Sequence, residues 1–538
     1  MKFFVRNFWL LLIFNVLATY GAAQNFTSKP PRLVVGIMID GLQQRHIDQL
    51  WNRFDSYGFK QIVEKGAICN NIYYNLLSAG NASDIATVMT GTTPYYHGVT
   101  GNHYFSRKNK EVQSIIYDEN ELGIGTKLTV SAHHLLSSTV TDELMLNFSH
   151  QSKTYAVAIN PEEALMLAGH TANSAVWISD ETMKWITTTY YSDGLAASAD
   201  EMNVNDQIRK YASMIWEPMY SPNTYLYPPQ GENKKTSFQY KPDSKRKNSS
   251  LLLLKNTPTA NAVVADLAYR IINQEKLGTD DYPDFLLLQF TVKTPYEKTS
   301  VINSAEKEDI YLQLDKDIQY LLQKIDSKIG MSQVLVYMFG NQTNFHTPIE
   351  LGNNKIPAGY FNGDRSMALL NTYLMAIYGQ EKWVEGYYGK NIFLNRQKIE
   401  EKKLNLYDIQ QTVADFMLEF EGVQAAFTAT QVLNANSQTN DQIIPIRNSF
   451  HKNTSGDVIL TLLPGWIELN ENNQPVGESN AVISYTPVYF YGWNIKSQKI
   501  NTFYPVTSIA PTLSKILNIP EPNACVGTPI EEIIREIK

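Results

Sequence analysis

The chain has 538 residues, of which 43% are hydrophobic, 12% aromatic and 18% charged, a composition that excludes a disordered or collagen-like protein. Lys and Arg total 46 against 53 Asp and Glu, a net charge of −7, and no basic cluster is long enough to track a phosphate backbone, so no nucleic-acid partner is expected. Two cysteines exclude a disulfide-stapled fold and a cysteine-based zinc module, and nine histidines leave little imidazole for metal.

The N-terminus carries Lys2 and Arg6, then a mostly apolar run over 8–17, then Gly21 and Ala23 placed for a cut after Ala23. This pattern predicts a signal peptide over 1–23, too short to span about 30 Å of hydrocarbon as a mature anchor. The mature chain, 24–538, is then expected to be exported to the periplasm, the outer membrane or the cell surface, with no transmembrane segment. In such a compartment Cys69 and Cys525 form either one disulfide or two separate thiols.

Arg32-Leu-Val-Val-Gly-Ile-Met-Ile-Asp40-Gly41 is an apolar run ending at an acid and a glycine. Such a run predicts a strand buried on both faces that stops at the carboxyl edge of a parallel sheet. Apolar residues at helical spacing follow over 46–65. Further strands are predicted at 154–159, 174–178, 285–290, 334–339 and 488–491, with helices at 262–275, 307–325, 406–420 and 509–517. This alternation predicts one α/β domain with a central, mostly parallel sheet flanked by helices. Two stretches interrupt it. Residues 225–250 are polar and basic, and predict a solvated loop; residues 431–456 are rich in Asn, Gln and Thr, and predict an insertion or cap.

From Asn81 to Asn102 the chain holds Thr90-Gly91, Pro94, His97-Gly98 and Gly101-Asn102. Elements of this kind at this spacing resemble the alkaline phosphatase superfamily, in particular bacterial single-chain alkaline phosphatases and nucleotide pyrophosphatase/phosphodiesterases. The resemblance extends through Ala168-Gly-His-Thr, Asn256-Thr-Pro-Thr, Pro464-Gly-Trp466 and Ile509-Ala-Pro-Thr, and so covers nearly all of the predicted mature chain. It implies the alkaline phosphatase fold. It also implies a site with two zinc ions, six acidic or imidazole ligands and a Thr or Ser nucleophile.

Carried over position by position, that site is altered. Asp40 matches the first ligand aspartate, and Asn102 the phosphate-contacting asparagine. Asn81 stands at the nucleophile, where an amide has no ionisable hydroxyl. Tyr296 and Ser300 replace an Asp-His ligand pair, Gly340 and Asn341 a second, and Tyr485 the last ligand histidine. Asn160 and Glu162 replace two phosphate-gripping cations, and an acid there repels a phosphate dianion.

These replacements lead to the expectation that zinc is lost, that no residue is catalytic, and that the old pocket is neutral and amide-rich. The chain would then be a catalytically inactive accessory or protein-binding component of a bacterial cell-envelope complex, with a protein as its partner. Two other readings follow from the same residues. One is an active metal-dependent phosphatase or phosphodiesterase with a rearranged site, recruiting Asp40, Glu297, Ser83 and His346. The other is a sugar- or nucleotide-binding module.

Overall fold

The computed structural model describes residues 29–77, 80–229, 237–242, 249–295, 303–342, 346–435, 443–470, 472–476 and 484–536. Its first strand, Leu33–Asp40, is buried at every residue. The strand pairs in parallel with Val334–Gly340 on one side and with Asp284–Thr291 on the other. A strand covered on both faces has no solvent side, which explains an unbroken apolar run where alternation would otherwise be expected.

The parallel order continues outward through Thr154–Val157 to Ser174–Ile178. Beyond Val334–Gly340 lies Ser484–Gly492, which runs antiparallel and pairs in turn with Ala67–Tyr74. Among the described residues the sheet has eleven strands, mostly parallel at its centre. Helices Thr259–Gln274 and Ala305–Lys328 bury their apolar stripes on one face. Asn81–Thr90, Pro161–Ala168 and Ile509–Leu517 cover the other. The layered α/β architecture read from the sequence is the one observed.

A third hydrophobic cluster sits apart from these layers. It includes Leu370, Leu374, Trp383, Val413, Met417 and Leu460, and packs helices Gly363–Tyr378 and Leu406–Met417 on a four-stranded antiparallel sheet. Asp457 anchors this cap. Its carboxylate accepts from Arg107 Nη2 at 2.8 Å, from Arg396 Nε at 2.8 Å and from the Leu394 N–H. In the Asn- and Gln-rich stretch at 431–456, Val432, Ile446 and Phe450 form a separate small cluster with Ala429 and Ile459, packed against Leu77 and Phe427; residues 436–442 lie outside the described residues.

Of the basic stretch at 225–250, residues 230–236 and 243–248 lie outside the described residues. The remainder is tied down. The Leu226 and Tyr227 N–H groups donate to Glu308 Oε1, and Tyr240 pairs with Trp216. Cys69 and Cys525 are free thiols, so of the two alternatives the separate-thiol one is realised. No helix among the described residues is long and apolar enough to cross a membrane.

Candidate functional site

The parallel strands deliver their carboxyl ends to one place, the position at which open α/β sheets hold their ligands. Asp40 ends the first strand, and Val292 and Lys293 follow the strand Asp284–Thr291. Asn341 and Gln342 follow Val334–Gly340. Facing them is the N-terminus of helix Asn81–Thr90. Between these ends and the cap lies a cavity of about 810 Å³. Asn81, Asp84, Asn102, Lys293, Asn341 and Gln342 form its floor, and Tyr387, Tyr388, Lys390, Asn391 and Phe393 its roof.

Asp40 lies beneath this floor, outside the lining itself, and ties it together. Its Oδ1 accepts from Asn341 Nδ2 at 2.6 Å and Lys293 Nζ at 2.9 Å, and its Oδ2 from Asn81 Nδ2 at 3.1 Å. Asn81 Nδ2 also donates to Glu163 Oε1 at 2.7 Å, while Asn81 Oδ1 accepts from Asn341 Nδ2 at 2.7 Å. Asn102 Oδ1 caps the helix by accepting from the Ala82 N–H at 3.0 Å. Gly80 makes this possible. Its φ is +117°, and a Cβ there would come within 2.5 Å of Asn102 Oδ1.

Two buried carboxyl groups in this region are hard to ionise. Burial pushes Asp84 up to about 6, although Gln342 donates to it from both its backbone N–H and its side-chain amide at 2.9 Å. Burial, then repulsion from Glu162, pushes Glu163 up to about 7 against the opposing Asn81 hydrogen bond. Glu163 Oε2 is buried without a hydrogen-bond partner among the described residues. A carboxyl that titrates near neutrality is suited to moving a proton.

Asp40, Asn81, Asn102 and Asn341, expected at the site, are brought together. Gly340 is not part of the cavity wall. Its N–H donates to Thr486 Oγ1 at 3.2 Å inside the sheet, and the pair of residues at the strand end is Asn341 and Gln342, one position later. Tyr485 also lies elsewhere. It is 44% exposed and rests against Tyr73 and Phe503, because side chains alternate along Ser484–Gly492 and Thr486 takes the inward place. Asn160 accepts from Lys255 Nζ at 3.2 Å, beside Glu162, whose carboxyl burial pushes up; neither residue lines the cavity. Tyr296, Ser300 and Glu297 lie outside the described residues. Ser83 is buried within its helix, and His346 pairs with Glu350 at 3.4 Å.

The floor is therefore charged, and the neutral pocket expected from the sequence is corrected by Lys293 and Asp84. Sequence reading missed these two along with Glu163 and Gln342. Asp84 carried a usable signal, since it stands three residues after Asn81 on the same helical face. Lys293 stands two residues past the end of a strand that neighbours Asp40. As for metal, no three His, Cys, Asp or Glu side chains converge among the described residues. The groups presented to Asp40 are N–H donors, whereas zinc needs lone pairs. The described residues do not fit a two-zinc centre.

Residues 34–482 match the family model for type I phosphodiesterase / nucleotide pyrophosphatase. The chain is 28% identical to a Myroides odoratus protein named calcium-transporting ATPase, over 94% of this chain and 95% of that one. It is 26% identical to alkaline phosphatase PafA of Elizabethkingia meningoseptica, over 98% of each chain. The crystal structure of wild-type alkaline phosphatase PafA superposes with a TM-score of 0.86 at 25% identity, covering 94% of this chain and all of that one. These relatives overturn the expectation of an inactive envelope scaffold and favour a phosphatase reading. That expectation equated altered ligand positions with lost chemistry, whereas Lys293, Asp84 and Glu163 place charged and protonatable groups at the same centre.

Proposed function

The chain belongs to the type I phosphodiesterase / nucleotide pyrophosphatase family, and from that membership we propose that it hydrolyses a phosphate ester in the cavity between sheet and cap, through a rearranged centre. The observation that carries this reading is the meeting of Lys293, Asn102 and buried Asp84 on one cavity wall, at the N-terminus of helix Asn81–Thr90.

The roles follow from the groups. Lys293 supplies a positive charge for a non-bridging phosphoryl oxygen. The helix N-terminus adds its partial positive charge, as helix N-termini do for anions. Asn81 offers no hydroxyl, so water attacks phosphorus directly and Asp84 accepts its proton; the P–O bond to the ester group breaks, and the group leaves as a phenolate or as an alcohol that takes a proton from Asp84 or solvent. A carboxylate whose pKa is raised to about 6 is a stronger base than an ordinary aspartate.

The charge balance points to the substrate class. Asp84, Asp364 and Glu468 line the cavity against Lys293 and Lys390. A singly charged phosphodiester meets less repulsion there than a doubly charged monoester. Steady-state hydrolysis of bis(p-nitrophenyl) phosphate and p-nitrophenyl phosphate tests this, with a higher kcat/KM for the diester expected. Equal or reversed preference counts against it.

A second reading, a sugar- or nucleotide-binding module, draws support from the roof, where Tyr387, Tyr388, Phe393, Asn391 and Asn470 present rings and amides. It calls for a ligand-dependent rise in melting temperature with no turnover. Export is also part of the proposal, supported by the charged, apolar and small-residue succession over 1–23.

A further inference from the structure

Asp40 ends its strand where the family resemblance places a metal-ligand carboxylate, yet the side chains that reach its carboxylate oxygens are hydrogen-bond donors, with the carboxyls of Asp84 and Glu163 farther out. Lys293 Nζ and Asn341 Nδ2 reach Oδ1 at 2.9 and 2.6 Å, and Asn81 Nδ2 reaches Oδ2 at 3.1 Å. The two amides cannot simply turn their oxygens toward a cation. Asn341 Oδ1 already accepts from the Gly41 backbone N–H at 2.9 Å, which fixes the amide with its nitrogen toward Asp40. Asn81 Oδ1 accepts from that same Asn341 nitrogen at 2.7 Å, and Asn81 Nδ2 is drawn to Glu163 Oε1 at 2.7 Å. Flipping either amide would set oxygen against carboxylate oxygen.

We propose that Lys293 is the resident cation of this centre: its ammonium neutralises Asp40 in the position where the family resemblance calls for a metal, and the donor network closes the centre to zinc. Two observations carry this independently of each other. One is the direct Lys293–Asp40 ion pair, with Asp40 buried and the Lys293 side chain one-third exposed toward the cavity. The other is the locked orientation of both amides, set by the Gly41 N–H at one end and Glu163 at the other. A protonated side chain differs from zinc in one functional respect. It supplies charge and hydrogen bonds but opens no coordination position for an attacking oxygen. The inference concerns the centre itself, and holds whether a bound ester is cleaved or only held.

The test is elemental analysis for zinc, after incubation with zinc chloride and desalting, together with melting temperature with and without zinc. It uses the wild-type protein, Lys293→Met and Lys293→Arg. The wild type is expected to retain near-zero zinc and to melt at the same temperature in zinc and in chelator. Lys293→Met keeps the length of the side chain and removes the charge. It is expected to melt lower than wild type, and Lys293→Arg is expected to recover most of that loss. Stoichiometric zinc in the wild-type protein, or a melting temperature that falls on chelation, overturns the proposal. That reading does not depend on how either variant folds. Equal melting of Lys293→Met and wild type overturns it as well, since the ion pair would then contribute nothing. Neither result bears on ester turnover, which the diester assay reads separately.

Discussion

The Asn81 side-chain nitrogen lies 2.7 Å from Glu163 Oε1 and so holds a buried carboxyl at the N-terminus of the helix that faces the sheet. The same nitrogen reaches Asp40 at 3.1 Å. One neutral amide thus separates two acidic groups at the position where the family resemblance calls for a hydroxyl nucleophile. Asn81→Asp replaces that donor with a third carboxylate between Asp40 and Glu163. A loss of stability of about 2–3 kcal/mol is expected by urea denaturation at pH 8, from a lost buried hydrogen bond and added like-charge repulsion. A change within about 0.5 kcal/mol, the range of ordinary surface substitutions, would show that the amide bridge does not hold the site together.

Glu163 makes stability pH-dependent, with a sign that can be worked out. Its folded-state pKa is raised from 4.5 to about 7, so the native protein binds the proton more tightly than the unfolded chain. Its contribution is full below about pH 4.5 and is lost as pH rises through about 7. At about 1.4 kcal/mol per unit, the loss is on the order of 3 kcal/mol. Glu163→Gln keeps the acceptor for Asn81 and removes the ionisation. The variant is expected to be more stable than wild type at pH 8 and no more stable at pH 4. A residual fall remains from Asp84, whose raised pKa acts in the same direction. Parallel stability curves for variant and wild type would refute the assignment.

Asp84 sets the expected pH profile of turnover. As the base it must be ionised, so kcat/KM is expected to rise through about pH 6 and to level off above it. Asp84→Asn is expected to flatten this limb. A rise centred near pH 4, where ordinary aspartates titrate, would place the base elsewhere.

The layered fold was legible because the strands are buried on both faces, and Leu33–Asp40 therefore reads as an unbroken apolar run. Strand Ser484–Gly492, which lies between Val334–Gly340 and Ala67–Tyr74, reads as a strand only over its apolar end at 488–491. At its other end the sequence offered Tyr485 as a site residue, while the period-two alternation of the strand sends that ring outward and Thr486 inward. The site was legible only in part. Asp40, Asn81, Asn102 and Asn341 sit on elements whose ends the motif fixes. Lys293 and Gln342 stand two residues past their strand ends, and a shift of one residue there decides which side chain faces the cavity. The cap was under-read as an insertion at 431–456, because its core draws on residues from Phe361 to Leu462 that are distant in sequence.

Gly80 offers a direct test of how the helix N-terminus is kept in place. Its backbone, at φ +117° and ψ +166°, lies in a region essentially restricted to glycine. Gly80→Ala would also drive a Cβ against Asn102 Oδ1. A stability loss of about 1–3 kcal/mol is expected, with KM for the diester raised because Asn102 leaves the Ala82 N–H. Unchanged stability and KM would mean that the Asn102 cap is incidental.

The account stands or falls on whether the cavity cleaves an ester with its own acid–base group. The most direct measurement is the rate of bis(p-nitrophenyl) phosphate hydrolysis by purified wild-type protein and by Asp84→Asn, prepared identically at pH 8. Turnover by the wild type, reduced about a hundredfold or more in Asp84→Asn, is the expected result. Equal rates in the two proteins, or no release of p-nitrophenol above buffer, would contradict it.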